Sequence, residues 1–384
     1  MKQFRKKLVS DKLKLTELVD KNLLKLKRKS HGGEIYKDEI NKSGLLDFST
    51  NINHLLELEP YMNSIMKSLT RISRYPDSDS MQLKKSLVEY FQNILTPNNL
   101  IIGGGSIDLI NIFVSTFVQE KDKIVVCQPT FSEYEWAIKK RGGVVINEYR
   151  LPERNFQLNF QSLKKQLAKK PKCVFICNPN NPNGYLDNIE AMEDLICYAK
   201  ERKIMVFLDE AFIEFAGEEN SLITKVKQYE NLFVIRSFTK FFGIPGLRIG
   251  FGGGNPKLIN FLKKVQTLWP VNNVAQELAE ELLNSKDFIK NSVRYFKEEC
   301  KFVSEELAKI KGLKIYPTST NYLLINTENT SLSSKYITNQ MLKQNILVRD
   351  CSNYNGLDDY YIRVAIKSRD LNCKLIRTFN SVCN

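Results

Sequence analysis

The chain has 384 residues, 42% of them hydrophobic, with a formal net charge of +14, eight cysteines and two histidines. That length supports two or so domains with ample core, and no apolar run reaches the length of a membrane span. The two histidines, His31 and His54, exclude chemistry built on several imidazoles, and the scattered cysteines show no paired metal-ligand spacing. No metal is expected, and the thiols read as reduced and structural.

The positive charge is gathered at one end. Residues 1–30 hold eleven Lys/Arg and three Asp/Glu, a net of +8, so the rest of the chain carries +6. That remainder suits an enzyme handling anionic phosphates and gives no reason to expect nucleic acid. Within this extension Leu13, Leu15, Leu18, Leu23, Leu24 and Leu26 lie among lysines and predict an irregular amphipathic helix packing on the body or on a partner. The absence of a continuous apolar signal segment makes a soluble, cytoplasmic protein the expectation.

Three loop-like segments follow: Ser30-His-Gly-Gly-Glu-Ile35, Leu46-Asp-Phe-Ser-Thr-Asn-Ile-Asn53 and Arg74-Tyr-Pro-Asp77. Ile101-Ile-Gly-Gly-Gly-Ser106 then places a glycine turn ahead of a helix, and such a turn offers free N–H groups and a positive dipole end to an anion. Runs at Lys123–Cys127 and Gly143–Asn147 read as strands and Ile189–Arg202 as a helix, an alternation that predicts a largely parallel βα architecture. Lys172–Cys177 reads as a buried parallel strand whose Pro/Asn/Gly loop delivers Asn181 to its carboxyl end, the edge at which open α/β sheets bind ligands. Five apolar residues from Ile204 run into Asp209. A carboxylate there is costly unless a cation or donor meets it, and a protonated pyridine nitrogen is such a partner. A helix cap is the plainer alternative.

Val234–Gly250 places Lys240 between a strand and a Gly/Pro loop, with Ser237 three residues before it and Arg248 eight after. A lysine becomes a Schiff-base nucleophile when burial and nearby cations destabilise its ammonium, and Arg248 can do this while gripping a phosphate. The pattern suits a lysine that holds an aldehyde cofactor bearing a phosphate. Beyond Trp269-Pro270, a long helical pattern leads to strands at Leu313–Tyr316, Tyr322–Asn326 and Tyr361–Ile366. The expected organisation is a basic extension over 1–30 and an N-terminal segment over 31–75 contributing to the small domain. A large domain over 76–270 and a linking helix with the small C-terminal domain over 271–384 complete it.

With these segments the chain resembles fold-type-I pyridoxal-phosphate enzymes of the class I/II aminotransferase superfamily, from about His31 to the C-terminus. The resemblance implies an α/β fold with a mostly parallel central sheet flanked by helices, plus a smaller α/β domain. It implies pyridoxal 5'-phosphate on Lys240, Asp209 paired with the pyridine nitrogen, and Asn181 on the cofactor's phenolic oxygen. Gly104, Gly105, Ser106, Ser237 and Arg248 are expected around the cofactor phosphate, and Phe131 stacked on the ring. Tyr75 matches a tyrosine that reaches across a dimer interface to the partner subunit's cofactor phosphate, which implies a homodimer.

Among subfamilies, the segments Ser30–Ile35, Leu46–Asn53, Arg74–Asp77 and Cys351–Ile366 look most like L-threonine-O-3-phosphate decarboxylases of cobalamin biosynthesis. Histidinol-phosphate aminotransferases, the alternative, usually carry tyrosine where this chain has Phe212. A non-catalytic pyridoxal-phosphate regulator is a third reading, for which the extension is too short to be a DNA-binding domain. For the decarboxylase reading Arg363 is expected on the substrate carboxylate, Arg349 on its phosphate, and His31 and Gly33 beside that phosphate, with Asn181 also facing substrate. Three departures stand out: Asn183 where threonine is usual, Gly104 where asparagine is common, and Ile107 in place of a polar residue. None removes an essential functional group, and they leave the choice between threonine phosphate and serine phosphate open, a methyl group being worth only about 1–3 kcal/mol.

Overall fold

The computed structural model describes residues 15–24, 26, 32–33 and 44–383. Its largest element is a seven-stranded sheet. The strands are β2 (Leu100–Gly103), β3 (Lys123–Gln128), β4 (Val144–Tyr149), β5 (Cys173–Cys177), β6 (Met205–Asp209), β7 (Leu232–Ser237) and β8 (Gly250–Gly254). They lie in the order β2-β8-β7-β6-β5-β3-β4. The run from β7 to β4 is parallel, and β8 alone is antiparallel to both of its neighbours.

The central strands β5, β6 and β7 are apolar on both faces and buried along almost their whole length, as a parallel sheet covered by helices requires. On one face Phe113 of helix Ser106–Phe117 stacks on Phe233, with Phe175 and Phe207 beside it. On the other, a core containing Leu87, Leu195, Val206 and Val234 continues without a break to Leu323, Ile325, Ile362 and Val364 of the smaller sheet. Strand β8 is unusual in holding four glycines among its five residues. Its glycines serve close packing: a Cβ on Gly252 would stand 2.5 Å from the Phe233 ring.

The C-terminal part holds β9 (Lys314–Ile315), β10 (Tyr322–Asn326), β12 (Arg349–Asp350) and β13 (Tyr361–Ala365) in an antiparallel sheet of order β12-β13-β10-β9. Short strands β1 (Leu46–Asp47) and β11 (Ile346–Leu347) pair in parallel, tying the N-terminal segment to this region. The 23-residue helix Lys286–Ala308 packs against the terminal helix Arg369–Cys383. Within the basic extension, the described residues form only single turns at Leu15–Leu18 and Lys21–Leu24, with none of their side chains buried. The described residues thus form two separate turns in place of one helix, and the second lies against helix Glu133–Lys140, as the expected packing on the body requires. No helix among the described residues is long and apolar enough to cross a membrane.

Candidate active site

The carboxyl ends of the parallel strands converge on one cavity of about 280 Å³. β6 delivers Asp209, which is 4% exposed. Its Oδ2 accepts from the Tyr134 hydroxyl at 2.5 Å and its Oδ1 from the Ala211 amide at 2.9 Å. Burial nevertheless dominates and pushes the carboxyl up to about 6, since two neutral donors do not replace the lost hydration of a charge. Such a group gains from any cation brought against it.

β5 runs into the loop that carries Asn181. Arg150 and Asp187, both with fully buried side chains, form an ion pair at 2.7 Å beneath this loop. Arg150 also donates to the Phe156 and Cys177 carbonyls, and the Asp187 amide donates to Asn178 Oδ1. Because the pair is closed by further hydrogen bonds, it fixes the loop's path. β7 ends at Ser237, whose hydroxyl meets that of Thr239 at 2.8 Å, and Lys240 follows. Burial, then the positive charges of Arg363 and Arg248, bring the Lys240 ammonium down to about 8, with Asp47 opposing. An amine with that value is a competent nucleophile near neutral pH.

The glycine turn behaves differently from expectation in one respect. Gly104 N–H donates to Asp108 Oδ2 at 2.9 Å and Gly105 N–H to the Gly103 carbonyl at 2.7 Å. Both amides are thus engaged within the turn itself. The local chain closes on itself, and the donors left to a phosphate are those of the helix start from Ser106 onward. Gly105 contributes space instead. It adopts φ +90°, and a Cβ there would stand 2.9 Å from an Arg248 guanidinium nitrogen. Arg248 is held over this hollow by a hydrogen bond to the Pro245 carbonyl at 3.1 Å.

The small sheet and the N-terminal segment form the other wall. Arg349 and Arg363 are register partners across β12 and β13, so their side chains share a sheet face, and both line the cavity. Arg363 donates to Asn181 Oδ1 and, at 2.9 Å, to the Ser49 carbonyl, while its Nε is buried without a partner among the described residues. Asp47 accepts from the Ser49 amide and hydroxyl and from the Thr50 hydroxyl at 2.6–2.7 Å. This turn exposes Ser49, Thr50 and Asn51 to the cavity. Gly33 N–H bonds Ser49 Oγ at 3.0 Å. His31 lies outside the described residues.

Of the residues singled out in the sequence, Ser106, Phe131, Asn181, Asp209, Lys240, Arg349 and Arg363 line one cavity. Gly105 and Arg248 meet at the helix start beside it. Tyr75 does not face this cavity: it is 77% exposed and stacks on Trp269 at 4.1 Å in a separate groove. Tyr134 and Tyr354 are among the cavity residues to which the sequence assigns no role. Tyr134 carries a local signal, since it stands one helical turn from Phe131; nothing local marks Tyr354, which depends on a contact 173 positions away.

A half-buried lysine, a buried carboxylate and an arginine-capped glycine hollow at the carboxyl edge of a mostly parallel sheet define a cofactor-dependent enzyme site of the aminotransferase type. The aminotransferase class I and II family model matches residues 43–378, and the chain belongs to that pyridoxal-phosphate-dependent family. It is 31% identical over 320 residues to a histidinol-phosphate aminotransferase of Methanosphaera stadtmanae, covering 83% of this chain and 85% of that protein. It is 33% identical over 360 residues to a Caldanaerobacter subterraneus protein provisionally named threonine-phosphate decarboxylase, covering 93% and 95%. Among solved structures, the histidinol-phosphate aminotransferase of Clostridium acetobutylicum superposes with a TM-score of 0.82 at 33% identity, covering 88% of this chain and 99% of that one.

Proposed function

We propose that the protein removes the carboxylate of a phosphorylated α-amino acid, with L-threonine-O-3-phosphate or its serine analogue as substrate. The observation that carries this reading is the pair Arg349 and Arg363, set side by side on one sheet face against the same cavity. Two guanidinium forks suit a substrate bearing both a carboxylate and a phosphate. The longer match to the Caldanaerobacter relative and Phe212 at the cavity wall support it.

The residues present fit pyridoxal phosphate: Asp209 would meet the ring nitrogen, Phe131 would cover the ring, and Asn181 would serve the phenolic oxygen, all three lining one cavity. Arg248, Ser237 and the amides from Ser106 onward receive the phosphate, in the hollow that a Cβ on Gly105 would fill. Bound there, the cofactor supplies an electron sink for the pair released when a bond at the substrate's α-carbon breaks. Lys240 would hold the cofactor, and its free amine would hold or return a proton at that carbon. Arg363 and Arg349 would hold the substrate's two anionic groups and so orient the bonds at its α-carbon. Tyr75, on an exposed apolar face with Ile72, Leu268 and Trp269, belongs to a surface that a second copy of the chain covers.

A second reading, amino transfer from histidinol phosphate, is favoured by the names of several relatives. The deciding experiment gives the loaded protein L-threonine-O-3-phosphate or L-serine-O-phosphate without a keto acid. Carbon dioxide released over many turnovers is expected. No release, with amino transfer from histidinol phosphate to 2-oxoglutarate instead, would establish the second reading.

A further inference from the structure

The loop Cys351–Tyr360, between β12 and β13, is strapped across the cavity mouth. The Tyr149 hydroxyl at the end of β4 donates to Asn355 Oδ1 at 3.1 Å, and Gly356, with φ +91°, lies so close to the Tyr149 ring that a Cβ would meet it at 2.9 Å. Inside the strap, the Tyr354 amide bonds the Cys351 carbonyl at 3.0 Å and the Leu357 amide bonds the Tyr354 carbonyl at 3.2 Å. These bonds hold Tyr354 over the cavity, which it helps to line.

The Tyr354 hydroxyl lies 3.3 Å from Asn181 Oδ1 and 3.4 Å from an Arg363 guanidinium nitrogen, which also donates to Asn181 Oδ1. The three groups close a small ring of hydrogen bonds in which each has one assigned sense. Arginine only donates, so the carboxamide oxygen of Asn181 must face it, and the phenol donates to the same oxygen while accepting from Arg363. A carboxamide whose oxygen is committed in this way turns its Nδ2 edge to the other side. The phenol ring lies beside Arg349, with the guanidinium carbon 5.5 Å from the ring centroid.

We propose that Tyr354 is a positioning residue: its hydroxyl, with Arg363, sets the orientation of Asn181, so that Nδ2 is presented to the cofactor while the oxygen is shared with the arginine that receives substrate. The strap thereby links the substrate wall to the cofactor edge through a single side-chain amide. The inference rests on the reading of this cavity as the pyridoxal-phosphate site, and does not depend on which reaction the site performs. A donor facing the ring's phenolic oxygen stabilises negative charge there. Loosening that donor therefore makes proton loss from the bound cofactor harder.

The test uses full-length protein loaded with pyridoxal phosphate, read by the pH midpoint of the cofactor's visible absorbance. Tyr354→Phe keeps the ring beside Arg349 and removes only the hydroxyl. Its midpoint is expected to rise by about 0.3–0.5 pH units, the effect of one long, shared hydrogen bond. In an Asn181→Ala background the same substitution is expected to move the midpoint by less than about 0.1 unit, because the group it orients is gone. A midpoint unmoved by Tyr354→Phe in the wild-type background, or moved equally in both backgrounds, would overturn the proposal. Melting of the cofactor-free forms separates this from a fold defect: a lowered melting temperature with an unmoved midpoint means a structural role alone. Wild-type protein that takes up no cofactor into a titrating visible band would overturn the site reading and this inference together, whereas a normal wild-type titration with an unmoved variant overturns the inference alone.

Discussion

The two walls of the cavity are built on different principles. The cofactor edge is made of strand ends: Asp209 closes β6, Ser237 closes β7, and Asn181 lies four residues beyond β5. Each side chain's place follows from a short apolar run that has no choice but to be buried between two helical layers. The substrate wall is made of residues on a two-residue edge strand, its neighbour and a loop. Arg363 and Tyr354 are bonded to Asn181, and Arg363 also to Ser49, from elsewhere in the chain, while Arg349 donates to Asn353 of the adjoining loop. The cofactor edge is thus preorganised by packing and the substrate wall by polar bonds between separate parts of the chain. Substitutions should consequently fail differently on the two sides.

The largest effect is expected at the cofactor edge. Lys240→Ala should lower kcat by at least about 10³-fold, as loss of a covalent nucleophile does, and should abolish the attached-cofactor absorbance band. Turnover and a visible spectrum of the variant check both. Persistence of the band would move the attachment point to another residue and undo the account of this edge.

On the substrate wall, Arg363→Lys keeps the charge and loses the fork that serves Asn181 and Ser49 together. We expect kcat/KM to fall by about 10²-fold, equivalent to about 2–3 kcal/mol. Cofactor affinity should change by less, because Asp209 and Ser237 do not depend on this residue for their places and only the orientation of Asn181 does. Measuring cofactor dissociation beside steady-state kinetics tests the separation directly, and equal losses in both would erase the distinction between the walls.

Gly105→Ala returns to the cofactor edge with a smaller perturbation. The added carbon meets the Arg248 guanidinium in a residue with φ +90°, so a left-handed strain of about 1–2 kcal/mol adds to partial filling of the phosphate hollow. Pyridoxal phosphate should bind roughly tenfold more weakly, with pyridoxal, which lacks the phosphate, affected least. Comparing the two ligands by fluorescence titration checks this.

The smallest effect on activity, and the clearest on pH, is expected behind the cofactor edge. Arg236 of β7 is fully buried among Glu210, Glu214 and Glu218. Burial dominates Glu214 and raises its carboxyl to about 8, while Glu218, held by Arg236, is lowered. A carboxyl whose folded value lies above its unfolded value binds its proton more tightly when folded. Its contribution to stability is therefore intact below about 4.5 and is lost as pH rises toward 8. Glu214→Gln mimics the protonated form and should flatten the decline in melting temperature between pH 5 and about 8, while leaving the profile at pH 5 near wild type. A variant with the wild-type slope would show that Glu214 does not titrate in that window.

Much of the cofactor edge is legible in the amino-acid sequence. The lysine with its flanking serine and arginine, the apolar run into Asp209 and the strand leading to Asn181 are local signals, because burial on both faces writes a continuous hydrophobic run into the chain. The glycine turn is legible as a turn but not as a set of spent donors. Whether an amide is spent on its own loop depends on where Asp108 falls one helical turn away, and the spacing alone does not say so. β8 is hidden because glycines chosen for close packing against Phe233 look, in sequence, like those of a loop.

What the sequence determined by itself is the fold class and the strand ends that bring Asp209 and Asn181 to one cavity, since periodicity and burial are properties of contiguous residues. What only the tertiary structure decided is how Arg363 and Tyr354 are paired with Asn181, and how Arg236 collects three glutamates. Those pairings join residues far apart in the chain, and hydrogen bonds between side chains leave no period in the sequence that carries them.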